Sequence, residues 1–371
     1  MGIDKKGFYT LRDVLKSGAQ YVIPLSDRSR GKSYEVKRHC LLKAYQSGKA
    51  TLGLIRRYDE DITDTNIQPY FDDNNKPDKP DAPGAVEVIT DGEYNYIHVF
   101  RHRIYFSHRS VSEDGVEHIV RGQQVGTVFA LNLDERYKSQ QYPELEDIIF
   151  EEFVTRKLYL RDEPTRLQHL VSTIIRRRNG NVFMIANTIS RVCPYFQEWS
   201  LKGIPSMKPG TIQTYKVDDT LIAVELVEAS ADKKKSKMFF GQAGKAIQGG
   251  HWESESVPHL PKAYEEFDVL YSVAIRYSEF TFKLDLLIDD NADMTLYVYP
   301  YTKPTIPDDM ILITDEYALS SNVRSTFKRA IRSECKIVEL YRQQKICYAS
   351  NLCGADFKSC LQNMRAGFTL A

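Results

Sequence analysis

Apolar residues in this chain fall into short continuous runs separated by stretches in which they recur at helical spacing. Tyr21, Val22, Ile23, Pro24 and Leu25 form the first run, after which Val36, Cys40, Leu41 and Ala44 line one helical face before Ser47 and Gly48. A continuous run reads as a buried strand, and a periodic stretch ending in glycine reads as a helix with its stop signal. Further runs cover residues 51–55, 148–153 and 181–188, and residues 163–178 predict a helix with Leu167, Leu170, Val171, Ile174 and Ile175 on one face. Strands buried on both sides and alternating with helices imply an α/β fold around a parallel sheet. Residues 94–110 alternate like a strand pair, and residues 126–133 like a further strand.

Residues 59–84 are polar, acidic and proline-rich, which predicts an exposed insertion. The pattern breaks near Gly203, Ile204 and Pro205, and a connecting region of short strands runs to Glu228. Beyond it, residues 271–288 and 294–301 alternate as antiparallel strands, with helices expected over 321–332 and 336–344. The expected division is a first domain over 1–203, a linker over 204–232 and a second domain over 233–371.

The first apolar run leads through Ser26, Asp27, Arg28, Ser29 and Arg30 into Gly31, Lys32 and Ser33, where the first helix begins. Strand, loop and helix in that order suit a phosphate cradle. Backbone N–H groups and the helix N-terminus point at the anion, a lysine neutralises it, and the following hydroxyl holds Mg²⁺. Lys32 and Ser33 take the last two roles, with Ser26, Arg28, Ser29, Arg30 and Gly31 as further nucleotide contacts. The bland alternative is that Lys32 is a solvated helix start. Ser26 stands where the full loop pattern has a glycine.

The run over 148–153 closes on Glu151 and Glu152. Beside a phosphate loop, the first acid can hold Mg²⁺ and the second can orient and deprotonate an attacking water. By itself the pair also fits a charged turn after a core strand. Arg176, Arg177 and Arg178 end the second helix, where cations suit the helix dipole and where an arginine could reach a neighbouring subunit's γ-phosphate. Asn187 ends the run over 181–188 and could sense that phosphate.

Taken in order, Arg28 with Gly31-Lys32-Ser33-Tyr34, Ile55-Arg56-Arg57-Tyr58, Lys138-Ser139 with Tyr142-Pro143, Ile149-Phe150-Glu151-Glu152-Phe153, Arg176 and Arg178, Ala186-Asn187 and Pro194-Tyr195-Phe196 form a set. The set resembles the DNA packaging (encapsidation) ATPases of small phi29-type phages. Weaker similarity continues through Val217-Asp218-Asp219, Phe240-Gly241 and residues 310–314. The resemblance implies a P-loop ATPase domain of the additional-strand, catalytic-glutamate type, followed by a smaller RNase H-like α/β domain with a degenerate nuclease site. It implies ATP and Mg²⁺ as cofactors, with Glu151 as the metal-side acid, Glu152 as the catalytic glutamate, Arg176 as the finger acting in trans and Arg56 as a lid residue. Lys138, with Arg136 beside it, is then a pore-loop residue on DNA phosphates. The implied partners are double-stranded DNA, a portal or procapsid, a structural RNA, and copies of the chain in a homomeric ring, expected as a pentamer. The implied location is the host cytoplasm and, transiently, the procapsid. Against the family pattern, Ser26 and Ser29 replace loop glycines, Glu151 replaces Asp, and Asp59 stands where a basic residue follows the double arginine.

Composition narrows the reading. Lys plus Arg and Asp plus Glu number 50 each in 371 residues, so nucleic acid must be gripped by local clusters rather than by a net basic charge. Lys233, Lys234, Lys235 and Lys237 form the densest cluster, either a nucleic-acid contact or a solvated hinge. No run is long enough to span a bilayer and no apolar leader opens the chain, so a soluble intracellular protein is expected. The six cysteines fit no zinc spacing and read as free thiols. His98, His102 and His108 fall on the predicted strand pair as surface or satisfied residues. Asp285, Asp289 and Asp290 are the candidate nuclease carboxylates. Two alternatives stay open: a metal-dependent terminase-like nuclease, and a non-hydrolysing structural module of the portal.

Overall fold

The computed structural model describes residues 8–27, 30–76, 82–176, 178–228, 252, 255–314, 322–324 and 332–364. Arg28, Ser29, Arg177, the lysines of 233–237 and Phe240-Gly241 lie outside the described residues.

Nine strands build the first sheet: β1 (Tyr21–Ser26), β2 (Leu52–Arg56), β3 (Tyr96–Phe100), β4 (Arg103–Val111), β5 (Glu117–Ala130), β6 (Asp147–Glu151), β7 (Asn181–Asn187), β8 (Thr211–Val217) and β9 (Thr220–Leu226). Their order is β3-β4-β5-β2-β6-β7-β1-β9-β8. The stretch from β5 to β9 is parallel throughout, and β3-β4 and β8 flank it as antiparallel edges. Side chains of the central strands alternate between two cores, which is why these runs read as continuously apolar. Helix α1 (Lys32–Ser47) buries Val36, Cys40, Leu41 and Ala44 on one face, against Leu54, Ile149 and Phe183. Helix α2 (Glu163–Ile175) buries Leu167, Leu170 and Ile174 on the other, against Ile23, Phe150 and Met184. Each fully buried Leu, Ile or Phe here contributes about 1.5–3 kcal/mol. Gly48 closes α1 at φ 65, the left-handed conformation that a C-terminal glycine adopts without Cβ strain.

Six strands form a second sheet: β10 (Asp268–Tyr277), β11 (Phe280–Ile288), β12 (Met294–Pro300), β13 (Ile311–Thr314), β14 (Val323–Arg324) and β15 (Ile346–Tyr348), in the order β14-β13-β10-β11-β12-β15. β10, β11 and β12 make an antiparallel meander that parallel strands extend on both sides. Helices α3 (Arg332–Arg342) and α4 (Asn351–Asn363) cover it with Ile337, Leu340, Phe357 and Leu361. A smaller mixed α/β domain is what the resemblance implied. The two halves meet where Val192, just past β7, enters the second core and Arg191 donates to Asp356 of α4, Nε to Oδ1 at 3.2 Å.

Four expectations are corrected. Residues 211–226, assigned to the linker, are strands β8 and β9 of the first sheet, because Ile222, Ala223 and Val224 bury beside β1. Residues 59–84 are not simply an exposed insertion. Short helical turns bury Ile62, Ile67 and Phe71 against the α1 side of the sheet, and the polar residues between them mask this. The helix expected from residue 321 gives way to β14 at Val323 and Arg324. The pore loop implied at Arg136 and Lys138 opens with a helical turn, Asp134–Tyr137.

One buried acid couples this fold to pH. Glu225 on β9 is 1 % exposed, and its Oε2 accepts the Tyr9 hydroxyl at 3.0 Å. Burial pushes its carboxyl from 4.5 up to about 7, with the Tyr9 bond acting against the shift. The folded state therefore keeps a proton that the unfolded chain releases near pH 4.5. The stability this confers is complete below that pH and is lost as pH rises through 7. Glu225→Gln is expected to stabilise the protein at pH 8 by about 2–3 kcal/mol and to change little at pH 4.5. Urea unfolding at both pH values checks this, and an equal effect at both would refute it.

Candidate nucleotide site

β1, β7 and β6 lie side by side, and their carboxyl ends open onto one crevice, the place where parallel α/β sheets bind ligands. β1 stays apolar until Ser26; Asp27 follows it, and Arg30 precedes Gly31. Gly31, at φ 78, is the cap from which α1 starts. Lys32 is the first helical residue, and its side chain doubles back into the loop. Its ammonium donates to Ser26 Oγ at 2.5 Å, to the Asp27 carbonyl at 3.1 Å and to Asn187 Oδ1 at 3.3 Å. That last contact follows from the register that sets Ser26 opposite Asn187. Lys32 is 5 % exposed, and burial lowers its ammonium from 10.5 to about 8, with Glu151 and Asp27 pulling it back up.

Ser33 faces the other way and donates to Glu151 Oε1 at 2.7 Å, so the helix start and the end of β6 meet directly. Glu151 Oε2 accepts the Tyr70 hydroxyl at 2.8 Å. Burial raises the Glu151 carboxyl, and the Ser33 and Tyr70 donors oppose the shift. Tyr70 is held in turn by Lys37 of α1, whose ammonium bonds the Tyr70 carbonyl and Asp73 and sits 4.3 Å over the Tyr70 ring. Glu152, the next residue, leaves the strand at φ 55, and its side chain is 68 % exposed, with Arg56 Nη2 at 3.5 Å from Oε2. Ser33, Arg56, Tyr70, Glu151 and Glu152 line a cleft of about 510 Å³.

Of the residues singled out from sequence, Ser26, Gly31, Lys32, Ser33, Arg56, Glu151, Glu152 and Asn187 converge here. Arg30 does not offer its side chain to the cleft, because its guanidinium is buried in a two-point pair with Asp27, at 2.5 and 2.8 Å. Arg176 lies just before β7, at the opposite end of the sheet, and donates to the Gln140 carbonyl at 3.0 Å. Arg178 caps the carbonyls of Ile174, Tyr142 and Leu145. Lys138 follows the turn Asp134–Tyr137 and bonds Glu135 at 2.5 Å, and exposed Arg136 sits on that turn. Sequence reasoning missed Tyr70, Lys37 and Arg57. Tyr70 carried no signal because its segment reads as polar insertion, whereas Arg57 stood in the double arginine without a distinct role.

Among its described residues, the second domain gathers no comparable acids. Asp285 is fully buried, and its carboxylate is bonded to Ser272, Tyr264, Tyr299 and Lys283. Asp289 Oδ1 accepts the backbone N–H groups of Asn291 and Asp293. No group of three or more His, Cys, Asp or Glu able to hold a metal occurs among the described residues.

A parallel sheet with a strand-loop-helix cradle around Lys32, and an acid pair ending a nearby strand, defines a P-loop NTPase domain, here followed by a smaller α/β domain. The chain belongs to the Podovirus DNA encapsidation protein (Gp16) family, whose model matches residues 93–346. It is 23% identical to the DNA packaging protein of Bacillus phage PZA and 22% identical to that of Bacillus phage phi29, in each case over 93% of this chain and 100% of the relative. Among solved structures, the bacteriophage Phi-29 viral genome packaging motor assembly matches at TM-score 0.53 and 18% identity, covering 97% of this chain and 100% of that one. The Phi-28 gp11 DNA packaging motor matches at TM-score 0.50 and 14% identity, covering 97% and 98%. These structural matches bear on the fold. No described helix is long and apolar enough to cross a membrane.

Proposed function

We propose that this chain is an ATP-hydrolysing subunit of a phage DNA packaging motor. The observation that carries the reading is the 2.7 Å bond between Ser33 Oγ and Glu151 Oε1, one residue from the buried Lys32 ammonium. Lysine, hydroxyl and carboxylate meet where a β-γ-phosphate and its metal ion belong. Hard oxygen donors suit Mg²⁺, and neighbouring oxygens in its octahedral shell lie about 2.9 Å apart, close to the Ser33–Glu151 separation. The ion, when bound, neutralises charge on the phosphate oxygens. Lys32 and the loop N–H groups orient the triphosphate, Asn187 contacts its γ end from β7, and Arg56 closes over the cleft. Glu152, exposed to the cleft, orients the attacking water and takes its proton.

Family membership and the packaging role named for both Bacillus phage relatives support double-stranded DNA as the cargo and a procapsid in the host cytoplasm as the place of work. Arg176 stands away from its own chain's cleft, which suits an arginine serving the next subunit of a homomeric ring. Reaching that site requires it to leave the Gln140 carbonyl. Arg136 and Lys138 are the proposed contacts to DNA phosphates, sequence-independent and weakened by salt. The nuclease alternative finds no support in Asp285, whose two oxygens are both engaged, or in Asp289, whose Oδ1 already accepts two backbone N–H groups.

ATP turnover with and without double-stranded DNA tests the reading. Turnover that rises when DNA is added is the expected result, and a chain that hydrolyses no ATP in either case is not a motor.

A further inference from the structure

We propose that Arg57 is the positioning residue that fixes the backbone of Glu152 and so aims its carboxylate into the cleft. The proposal rests on the reading of Glu152 as the water-orienting acid. Glu152 has φ 55, a left-handed conformation that costs free energy for any residue with a Cβ and persists only where the surroundings enforce it. Arg57 supplies that enforcement from the end of β2. Its Nη1 donates to the Glu152 carbonyl at 3.2 Å, and its Nη2 donates to the Phe153 carbonyl at 2.8 Å.

The guanidinium is itself held rigidly. Nε and Nη2 pair with Glu163 at 2.9 and 3.0 Å, and the buried Glu163 also accepts the Tyr195 hydroxyl at 2.9 Å and the Leu160 N–H at 2.8 Å. The rings of Phe150 and Tyr159 flank the guanidinium at 5.8 and 5.3 Å. Arg57 therefore braces two carbonyls on one side against a fixed carboxylate on the other, and it does not line the cleft. Adjacent arginines divide the work: Arg56 faces the Glu152 side chain, and Arg57 holds its main chain. A lysine can keep the charge opposite Glu163 but cannot reproduce the fork of directed N–H groups.

Arg57→Lys, which spares the buried charge of Glu163, is the informative variant, read by ATP turnover, fluorescent-nucleotide affinity and thermal melting. The expected result is a kcat about 10- to 100-fold lower, with nucleotide Kd within about threefold of wild type, because the pocket keeps Lys32 and Ser33 while the acid loses its aim. Added to Glu152→Gln, the same change is expected to lower the residual turnover less than about twofold, because one act cannot be removed twice. Glu163→Gln, which keeps a neutral acceptor for Arg57 but removes the carboxylate of the pair and so loosens the clamp, is expected to show a smaller kcat loss with the same silence in Glu152→Gln. Unchanged kcat in both single variants, or equal fold-losses with and without the Glu152 carboxylate, overturns the proposal. Wild-type protein without turnover would instead overturn the assignment of Glu152 on which it rests.

Discussion

Glu152→Gln is expected to bind ATP as tightly as wild type while turning it over about 10²–10⁴-fold more slowly, the range that a positioned general base supplies. The two neighbouring acids are separated by environment. Glu151 is tied to Ser33 and Tyr70, so changing it disturbs the cradle itself. Glu152 has most of its side chain in the cleft's solvent and only a loose contact to Arg56 at 3.5 Å. An exposed ion pair of that length contributes about 0–1 kcal/mol, so its loss leaves the fold intact. Glutamine preserves the shape and the positive φ, and removes only the basic oxygen. Single-turnover hydrolysis beside a fluorescent-nucleotide titration separates the steps. Turnover within tenfold of wild type would show that another group handles the water.

Lys32→Met is expected to weaken nucleotide binding by about 100-fold or more, since two charge-assisted hydrogen bonds to phosphate contribute about 1.5–3 kcal/mol each. The same substitution is expected to leave the folded state no less stable. Burial has already lowered the Lys32 ammonium from 10.5 to about 8, so holding it charged inside the loop works against folding. By the linkage relation, this group makes the protein more stable as pH rises from about 8 to 10.5, where the folded state has lost a proton that the unfolded chain retains. Methionine removes both the cost and that slope. In the wild type, triphosphate affinity is expected to fall by up to tenfold per pH unit above 8, as the ammonium deprotonates, and to stay flat over the same range in Lys32→Met. Titration calorimetry at pH 7, 8 and 9, with melting curves of both proteins, checks the pair of claims. A marked loss of stability in the variant would mean that Lys32 is mainly a structural tie.

The central strands and both helices that sandwich the sheet were legible because burial on one or two faces imposes a period that a single sequence carries openly. The same holds for the loop at Lys32 and for the acids at the end of β6, whose meaning comes from local order along the chain. Residues 59–84 misled because three buried apolar side chains sit among acids and prolines, and composition averages over them. Residues 211–226 misled because a strand at the far edge of a sheet looks, in sequence, like any strand in a connection. β1, the inner partner of β9, lies about 200 positions earlier in the chain.

What the sequence determined by itself is therefore the identity of the chemical groups and the local elements that carry them: a lysine and serine at a helix start, two glutamates at a strand end, an asparagine at another. What only the tertiary structure decided is which of them meet and how they are held. The Ser33–Glu151 bond, the Tyr70 hydroxyl on Glu151 and the Arg57 clamp on the Glu152 backbone join positions 118, 81 and 95 residues apart. No local period encodes such contacts, because they arise from the order and register of strands, which is set when the whole sheet closes around its two cores.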